Sequence, residues 1–439
     1  MSNPLAHWWR SYQFRNALHQ GNERRAQHIL QEIEKSSAKL SWLEQLFRKK
    51  LQSEQSLAFY KREFTSLSGR LNPALQKLEE LEQQQNGNKQ EKSLLLPDEN
   101  FIQFVQNKFN FIEHDDFKLQ STGIEKGVFD DFEKELVNFL KTELEKRPKD
   151  TLAAELQDAI KDIEGLKHGV DPQYSFNLSS HVYLIKYFLE NVYCTYIAWF
   201  LVYKASLISK TIKILDIAAG PGTVAYGLAL LLQSSSGFFP MPKMHISYYS
   251  LEKQSLLQFR GLQFWRRYIE PQLIPINAYF RFDTTDIFDY SNKSQKLPEG
   301  FFDFIVISHC FFYEAQQRID SHNIYKNIFQ NNLRTGGYVL LIVQGTKLFK
   351  TYNVRQTEDI IQEQNVINLF LEELGLRLEW YKYLTSTDKR IPTFGAEFAK
   401  FATDNLPKQK YMNSLKQRYL GQKFESNYVI DDYVILAKR

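Results

Sequence analysis

The chain reads as an α/β protein: a doubly wound, mostly parallel, seven-stranded sheet preceded by a large all-α region. Two observations carry this. From about residue 212 onward, short β-rich runs alternate with helical stretches, the pattern of a parallel sheet with crossover helices. Before that point apolar residues recur mostly at helical spacings, and the first 82 residues hold only Pro4, Gly21, Gly69 and Pro73 as breakers. At 439 residues the chain also exceeds one typical core, so more than one domain is expected.

In order, residues 1–90 form a helical module. Within it Glu23 to Lys50 alternates charges with Leu30, Ile33, Leu40, Leu43, Leu46 and Phe47. The polar run Glu82-Gln-Gln-Gln-Asn-Gly-Asn-Lys-Gln-Glu91 closes it as a linker or long surface loop. Residues 91–180 form a second helical block. Phe132, Leu136, Phe139 and Leu140 share one face of a helix over Phe129 to Lys146, and another helix covers Asp150 to Leu166. Residues 181–439 form the sheet domain. It opens with an apolar helix at His181 to Ser209, and strands are predicted at 212–217, 246–251, 279–284, 302–308 and 338–343. The last two runs, 376–383 and 428–438, suit an antiparallel pair at the sheet edge.

Composition excludes several classes. A formal charge of +4 over 439 residues is no histone-like excess, so any basic surface is local. Two cysteines, Cys194 and Cys310, supply neither a disulfide framework nor a Cys-rich zinc or iron–sulfur site; no metal is expected, and Cys194 reads as core. The uncharged run from Asn191 to Tyr203 is 13 residues, against about 20 for a span, so it reads as a buried helix and no membrane contact is expected. A cytoplasmic protein is expected. Arg10 and Arg15, with no acid before Glu23, keep a transit-type leader as the alternative.

The sharpest feature is Lys213-Ile-Leu-Asp-Ile-Ala-Ala-Gly-Pro-Gly-Thr-Val-Ala-Tyr-Gly227. A buried strand ends in Asp216, a tight loop carries Ala218, Gly220 and Gly222, and an apolar helix starts near Thr223. Small residues let the backbone approach a ligand, and free amides at the helix start can face its polar groups. The dinucleotide pattern G-x-G-x-x-G is not met, because position 225 is alanine. The spacing Asp-x-Ala-x-Gly-x-Gly resembles the first motif of class I S-adenosylmethionine methyltransferases, whose sheet has seven strands. That resemblance implies S-adenosyl-L-methionine as cofactor, with the loop around its methionine part. It further implies that Glu252, ending Tyr248-Tyr-Ser-Leu-Glu252, accepts the ribose hydroxyls. Asp286 and the backbone of Ile287 then serve the adenine, with Asp283 and Asp289 as competitors for that role.

Phe302-Asp-Phe-Ile-Val-Ile-Ser-His-Cys-Phe-Phe-Tyr-Glu314 is the fourth strand of this set and its exit. Ligands of open α/β sheets lie beyond the carboxyl ends of the strands. Ser308 is therefore expected beside the cofactor, His309 is the candidate base, and Tyr313 and Glu314 are candidates to face the methyl acceptor. No Asn/Asp-Pro-Pro-Tyr/Phe follows the strand, and Cys310 lacks a Pro-Cys context, which argues against common amino- and cytosine-C5-methylating enzymes.

The segments Asp216–Thr223, Ser250-Leu-Glu-Lys253, Ser308–Glu314 and Gly336-Gly-Tyr-Val-Leu-Leu-Ile-Val-Gln-Gly-Thr346, with Arg355 nearby, also resemble a narrower branch. It comprises the methyltransferase-like proteins of mitochondrial small-ribosomal-subunit assembly and their bacterial relatives. The cysteine cluster of that branch is missing here, and the match covers about a third of the chain. The resemblance implies RNA or a ribosomal particle as partner. Two basic patches suit one: residues 1–70 hold 12 Lys/Arg against 6 Asp/Glu, and 407–423 holds Lys408, Lys410, Lys416, Arg418 and Lys423 without an acid. The reading is thus an S-adenosylmethionine-dependent methyltransferase with RNA favoured as acceptor. A small-molecule or protein methyltransferase is one alternative, and a non-catalytic assembly factor retaining the cofactor fold is the other.

Overall fold

The computed structural model describes residues 4–19, 22–35, 44, 48, 94–168, 172–274, 276–292, 297–312, 314–391 and 395–439. The polar bridge at 82–91 and much of the basic 1–70 segment lie outside them. The chain divides into two compact units, Met1–Glu63 and Phe64–Arg439. In the first, helices α1 (Pro4–His19) and α2 (Glu23–Lys35) bury Phe14, Ala17, Ala26, Ile29, Leu30 and Ile33.

The second unit begins with α3 (Glu99–Lys108), two short strands β1 (Ile112–Glu113) and β2 (Lys118–Gln120), α4 (Lys126–Glu145) and α5 (Lys149–Glu164). Then come α6 (Ser179–Tyr183), a π-helical turn at Leu184–Phe188, and α7 (Leu189–Lys204). Helix α7 buries every residue from Val192 to Tyr203, as a helix apolar on all sides must. No described helix is long and apolar enough to cross a membrane.

The alternating region gives β3 (Thr211–Ile217), α8 (Thr223–Ser235), β4 (Met244–Glu252), α9 (Ser255–Tyr268), β5 (Ile276–Thr284) and β6 (Phe302–Ser308). It continues with α10 (Ala315–Asn332), β7 (Leu333–Gln344), α11 (Gly345–Thr351), α12 (Ile360–Leu374), β8 (Arg377–Thr385), α13 (Gly395–Asn405), α14 (Met412–Leu420) and β9 (Asp431–Lys438). All seven predicted strands are present. The sheet nevertheless has nine, in the order β1-β2-β8-β9-β7-β6-β3-β4-β5, a correction to the expected seven. The extra pair comes from the block read as wholly helical: β2 joins β8 in parallel and β1 closes back on β2. Runs of two and three residues are too short to show a period in sequence. A second correction concerns β8 and β9, which do pair antiparallel but not at the edge. Strand β9 lies between β7 and β8, antiparallel to both.

Strands β5-β4-β3-β6-β7 are parallel neighbours in the doubly wound order. Period two sends alternate residues to opposite faces: Ile212, Ile214, Phe304 and Val306 join one core, and Leu215, Ile217, Ile305 and Ile307 the other. The first core takes α3, α4, α7, α8 and residues of α9, and the second takes α10 and α12. Because both faces are covered, the central strands read as unbroken apolar runs. Close helix packing needs a glycine at one point: a Cβ on Gly227 of α8 would lie 2.8 Å from the backbone carbon of Thr195.

Candidate functional site

The crossovers diverge between β3 and β6, so a crevice opens beyond the carboxyl ends of these strands. An open cleft lies there. It brings together Ala218, Gly220, Glu252, Asp286, Ile287, Ser308 and His309, which lie up to 91 residues apart in sequence (218 to 309). Three of the residues expected to hold the cofactor do not line it. Asp216 is buried beneath the loop, and Gly222 borders a separate narrow recess with Tyr248 and Trp265. Thr223 is buried, and its carbonyl accepts from Thr195 Oγ1 at 3.0 Å.

The loop after β3 turns through left-handed conformations at Ala218 (φ +56°), Gly220 (+54°) and Gly222 (+83°). For alanine this costs about 1–2 kcal/mol, so the surroundings must hold it. They do so through amides: Ala218 N–H donates to Leu251 O at 2.7 Å, Gly220 N–H to Glu252 Oε2 at 2.8 Å, and Gly222 N–H to Ala219 O at 2.8 Å. These three loop amides are thus satisfied within the protein. An unpaired buried amide is costly, and the end of β4 supplies the acceptors for Ala218 and Gly220 while the loop itself supplies that for Gly222. Backbone approach remains available. A Cβ added at Gly220 would meet no protein atom nearer than Tyr183 Oη at 3.8 Å, so the glycine keeps that part of the cleft open.

Glu252 is buried, and its Oε1 also accepts from Gln254 N–H at 2.7 Å. Each carboxylate oxygen can take two hydrogen bonds, so a vicinal diol can join these amides on one carboxylate. Asp216 sits below. Burial pushes its carboxyl up to about 8, opposed by the hydrogen bond from Tyr248 Oη and assisted by the Glu252 charge. Its Oδ1 has no partner among the described residues.

Of Asp283 at the end of β5 and Asp286 and Asp289 beyond it, Asp286 is the one in the cleft. Its Oδ1 accepts from Phe288 N–H at 3.1 Å, and Lys253 Nζ is 4.0 Å from Oδ2. Asp283 accepts from Thr285 Oγ1 at 2.6 Å instead.

His309 adopts φ +59° at the exit of β6, where its amide donates to Ile342 O at 2.8 Å. Both ring nitrogens are engaged: Nδ1 lies 2.9 Å from Ser308 Oγ, and Nε2 lies 3.0 Å from Asp432 Oδ1 on β9. The side chain expected as a base thus faces a protein network. Glu314 does not line the cleft. It is exposed and caps α10, accepting from Gln316 N–H at 3.2 Å and Gln317 N–H at 2.8 Å, and these bonds hold its carboxyl below the usual range. Tyr313 lies outside the described residues.

Sequence reasoning missed the far wall, built by Leu166, Tyr174 and Tyr183 of the helical region with Phe311, Phe312 and Lys347. Burial, with the Glu252 charge nearby, pushes the Tyr183 hydroxyl up, so it stays protonated. Asp432 was also missed. One signal was available: an acid at the start of an antiparallel last strand falls at the carboxyl end of its parallel neighbours.

No family model and no curated protein sequence matches the chain. Among solved structures it is similar to an S-adenosylmethionine-dependent methyltransferase from Methanosarcina mazei, with 14% identity over 54% of this chain and 96% of that one, TM-score 0.31. It is similar to the trans-methyltransferase CalH, crystallised with S-adenosylhomocysteine, with 14% identity over 64% and 65%, TM-score 0.32. It is similar to the plantazolicin methyltransferase BpumL, solved with the same product and a substrate analogue, with 13% identity over 66% and 100%, TM-score 0.30. At such scores the likeness says nothing of function, which rests on this chain's own residues.

Proposed function

We propose that this chain is an S-adenosylmethionine-dependent methyltransferase. The supporting observation is the convergence of Gly220, Glu252 and Asp286 in one cleft at the switch point of the sheet. The residues fit such a cofactor: Gly220 leaves open space where backbone approach is needed, Glu252 presents a buried carboxylate, and Asp286 stands beyond the next strand. Ala218 and Gly220 would border the methionine part, Glu252 would take the ribose hydroxyls, and Asp286 with Ile287 would meet the adenine. When bound, the cofactor supplies an electrophilic methyl group on a sulfonium. The chain's own work is to align and to exclude water, and Tyr174, Tyr183, Phe311 and Phe312 provide apolar walls for both.

For the acceptor, the aromatic walls favour a group small enough to enter the cleft. The RNA reading leans on 407–423, where Lys416 is buried against Gln409 and Ser426 while Lys408 pairs with Glu425 at 2.6 Å and Arg418 with Glu145 at 3.7 Å. Only part of that patch is offered to a polyanion. Incubation with methyl-labelled cofactor and fractionated cell extract tests both readings. Label in small molecules supports the cleft reading, RNase-sensitive label restores RNA, and no transfer to any fraction leaves the non-catalytic alternative.

A further inference from the structure

Three donor side chains beneath the cleft are not used by that reading. Cys194 comes from the middle of α7, His309 from the exit of β6 and Asp432 from the start of β9. Their sulfur, nitrogen and oxygen atoms all lie within 4.8 Å of one another. We propose that they form a binding site for one zinc-like divalent cation. The inference uses no part of the cofactor reading and is tested apart from it.

The donor set is the first argument. One thiolate, one imidazole and one carboxylate suit a borderline cation such as zinc, and three protein ligands with a fourth position left open make a common zinc site. Ligand atoms around a tetrahedral zinc with bonds of about 2.0–2.3 Å stand roughly 3.3–3.8 Å apart. His309 Nε2 and Asp432 Oδ1, at 3.0 Å, are already close to that spacing, and a separation as wide as 4.8 Å must close by about 1 Å. Counting cysteines excluded only Cys-rich centres, so a mixed site with a single thiolate escaped the sequence reading.

The donors are also held in place by the fold. Cys194 is 2% exposed and Asp432 8%, so neither can exchange its partner for bulk water. His309 has a left-handed backbone, a strained conformation kept by surrounding contacts, and its ring Nε2 meets Asp432 Oδ1 at 3.0 Å. Ser308 Oγ, 2.9 Å from Nδ1, fixes the ring from behind, the outer-shell contact that ligating histidines need. His309 is partly exposed to the cleft, which leaves the fourth position to water or to a donor atom of a cleft ligand. Charge balance agrees, since a thiolate and a carboxylate neutralise a dication. Lys347, which interacts electrostatically with Asp432, is the cation that such an ion must share this carboxylate with. As a ligand through Nε2, His309 is a fixed element of the site and not a proton carrier.

The test uses the untagged full chain, stripped with chelator and dialysed against micromolar zinc chloride. Elemental analysis should find one zinc per chain. Cobalt(II) added to the stripped chain should give thiolate-to-cobalt charge-transfer absorption in the near ultraviolet. In Cys310→Ser the only thiol left is Cys194, and that band should persist. Cys194→Ser should lose the band, and Asp432→Asn should weaken zinc binding at least about tenfold. Lys347→Met should retain or tighten binding. No retained zinc, or no thiolate band in Cys310→Ser, overturns the site and leaves a hydrogen-bonded Cys–His–Asp cluster. Should Cys194→Ser fail to fold by circular dichroism, the cobalt spectrum of the single-thiol chain decides alone.

Discussion

The amide of Gly220 and the carboxylate of Glu252 are 2.8 Å apart, so the loop after β3 and the end of β4 are tied by a charge-assisted hydrogen bond at the mouth of the cleft. Glu252 therefore has two tasks, shaping the loop and presenting acceptors to a ligand. Glu252→Ala is expected to weaken S-adenosylhomocysteine binding by about 1.5–3 kcal/mol in calorimetry. Unchanged affinity would move the ribose contact elsewhere, and no heat from the parent chain at high micromolar ligand would remove the cofactor itself.

Asp216 should make stability depend on pH in an unusual direction. Its folded value, about 8, lies above its ordinary 3.8, so the folded chain holds a proton that the unfolded chain releases. The contribution is fully present below about pH 4 and is lost as pH rises through about 8. Asp216→Asn keeps the neutral form and should flatten this decline. Urea midpoints of both chains between about pH 5 and 9 provide the check, and parallel curves would refute the assignment.

Arg390 is buried between Asp115 Oδ1 at 2.9 Å and Glu363 Oε2 at 3.2 Å. Glu363 also accepts from Tyr381 Oη at 2.9 Å and Tyr433 Oη at 2.7 Å, so one carboxylate joins α12, β8 and β9. Burial pushes Glu363 up, while the tyrosines and Arg390 oppose it. Glu363→Ala strips Arg390 of one partner and should cost about 3–5 kcal/mol. A loss below about 1 kcal/mol in denaturant titration would show that Asp115 alone satisfies the guanidinium.

Lys416 and Lys410 should respond differently. Lys416 is 3% exposed, and burial pulls its ammonium down, with Glu190 and Glu133 opposing. Lys416→Met should alter stability, whereas Lys410→Ala with Lys423→Ala should reduce any RNA affinity and its salt slope. Filter binding at several salt concentrations separates these outcomes. Equal affinity in parent and double variant takes this face out of RNA recognition.

Proteolysis within 82–91 should release a fragment that still binds S-adenosylhomocysteine, because residues 94–439 contain the whole sheet and every described residue lining the cleft. Cleavage inside 212–340 with the 82–91 segment left intact would contradict that boundary.

The seven longer strands were legible because each is a local apolar run bounded by turns, and the loop motif because close backbone approach demands small residues. The place of β9 in the sheet was not legible, since strand order depends on contacts across the fold. Asp286 reads ahead of Asp283 in the sequence, but the contact that engages Asp283 elsewhere was hidden. That contact, from Thr285 Oγ1, is a matter of rotamers and not of spacing. Cys194, His309 and Asp432 show the largest gap: 115 and 123 residues separate successive members (194 to 309, 309 to 432), and no periodicity links them.

The insertion of β9 between β7 and β8 gives synthesis a direction. A growing polypeptide that stops short of residue 431 owns eight strands but lacks the one that joins them, so β8 with β2 and β1 has no edge to dock on. The same missing piece carries Asp432. Until it emerges, β7 offers an open apolar edge of the sort that recruits chaperones or other chains. Completion of the sheet and delivery of Asp432 to the cluster with Cys194 and His309 are therefore a single event, which cannot precede the synthesis of residue 431.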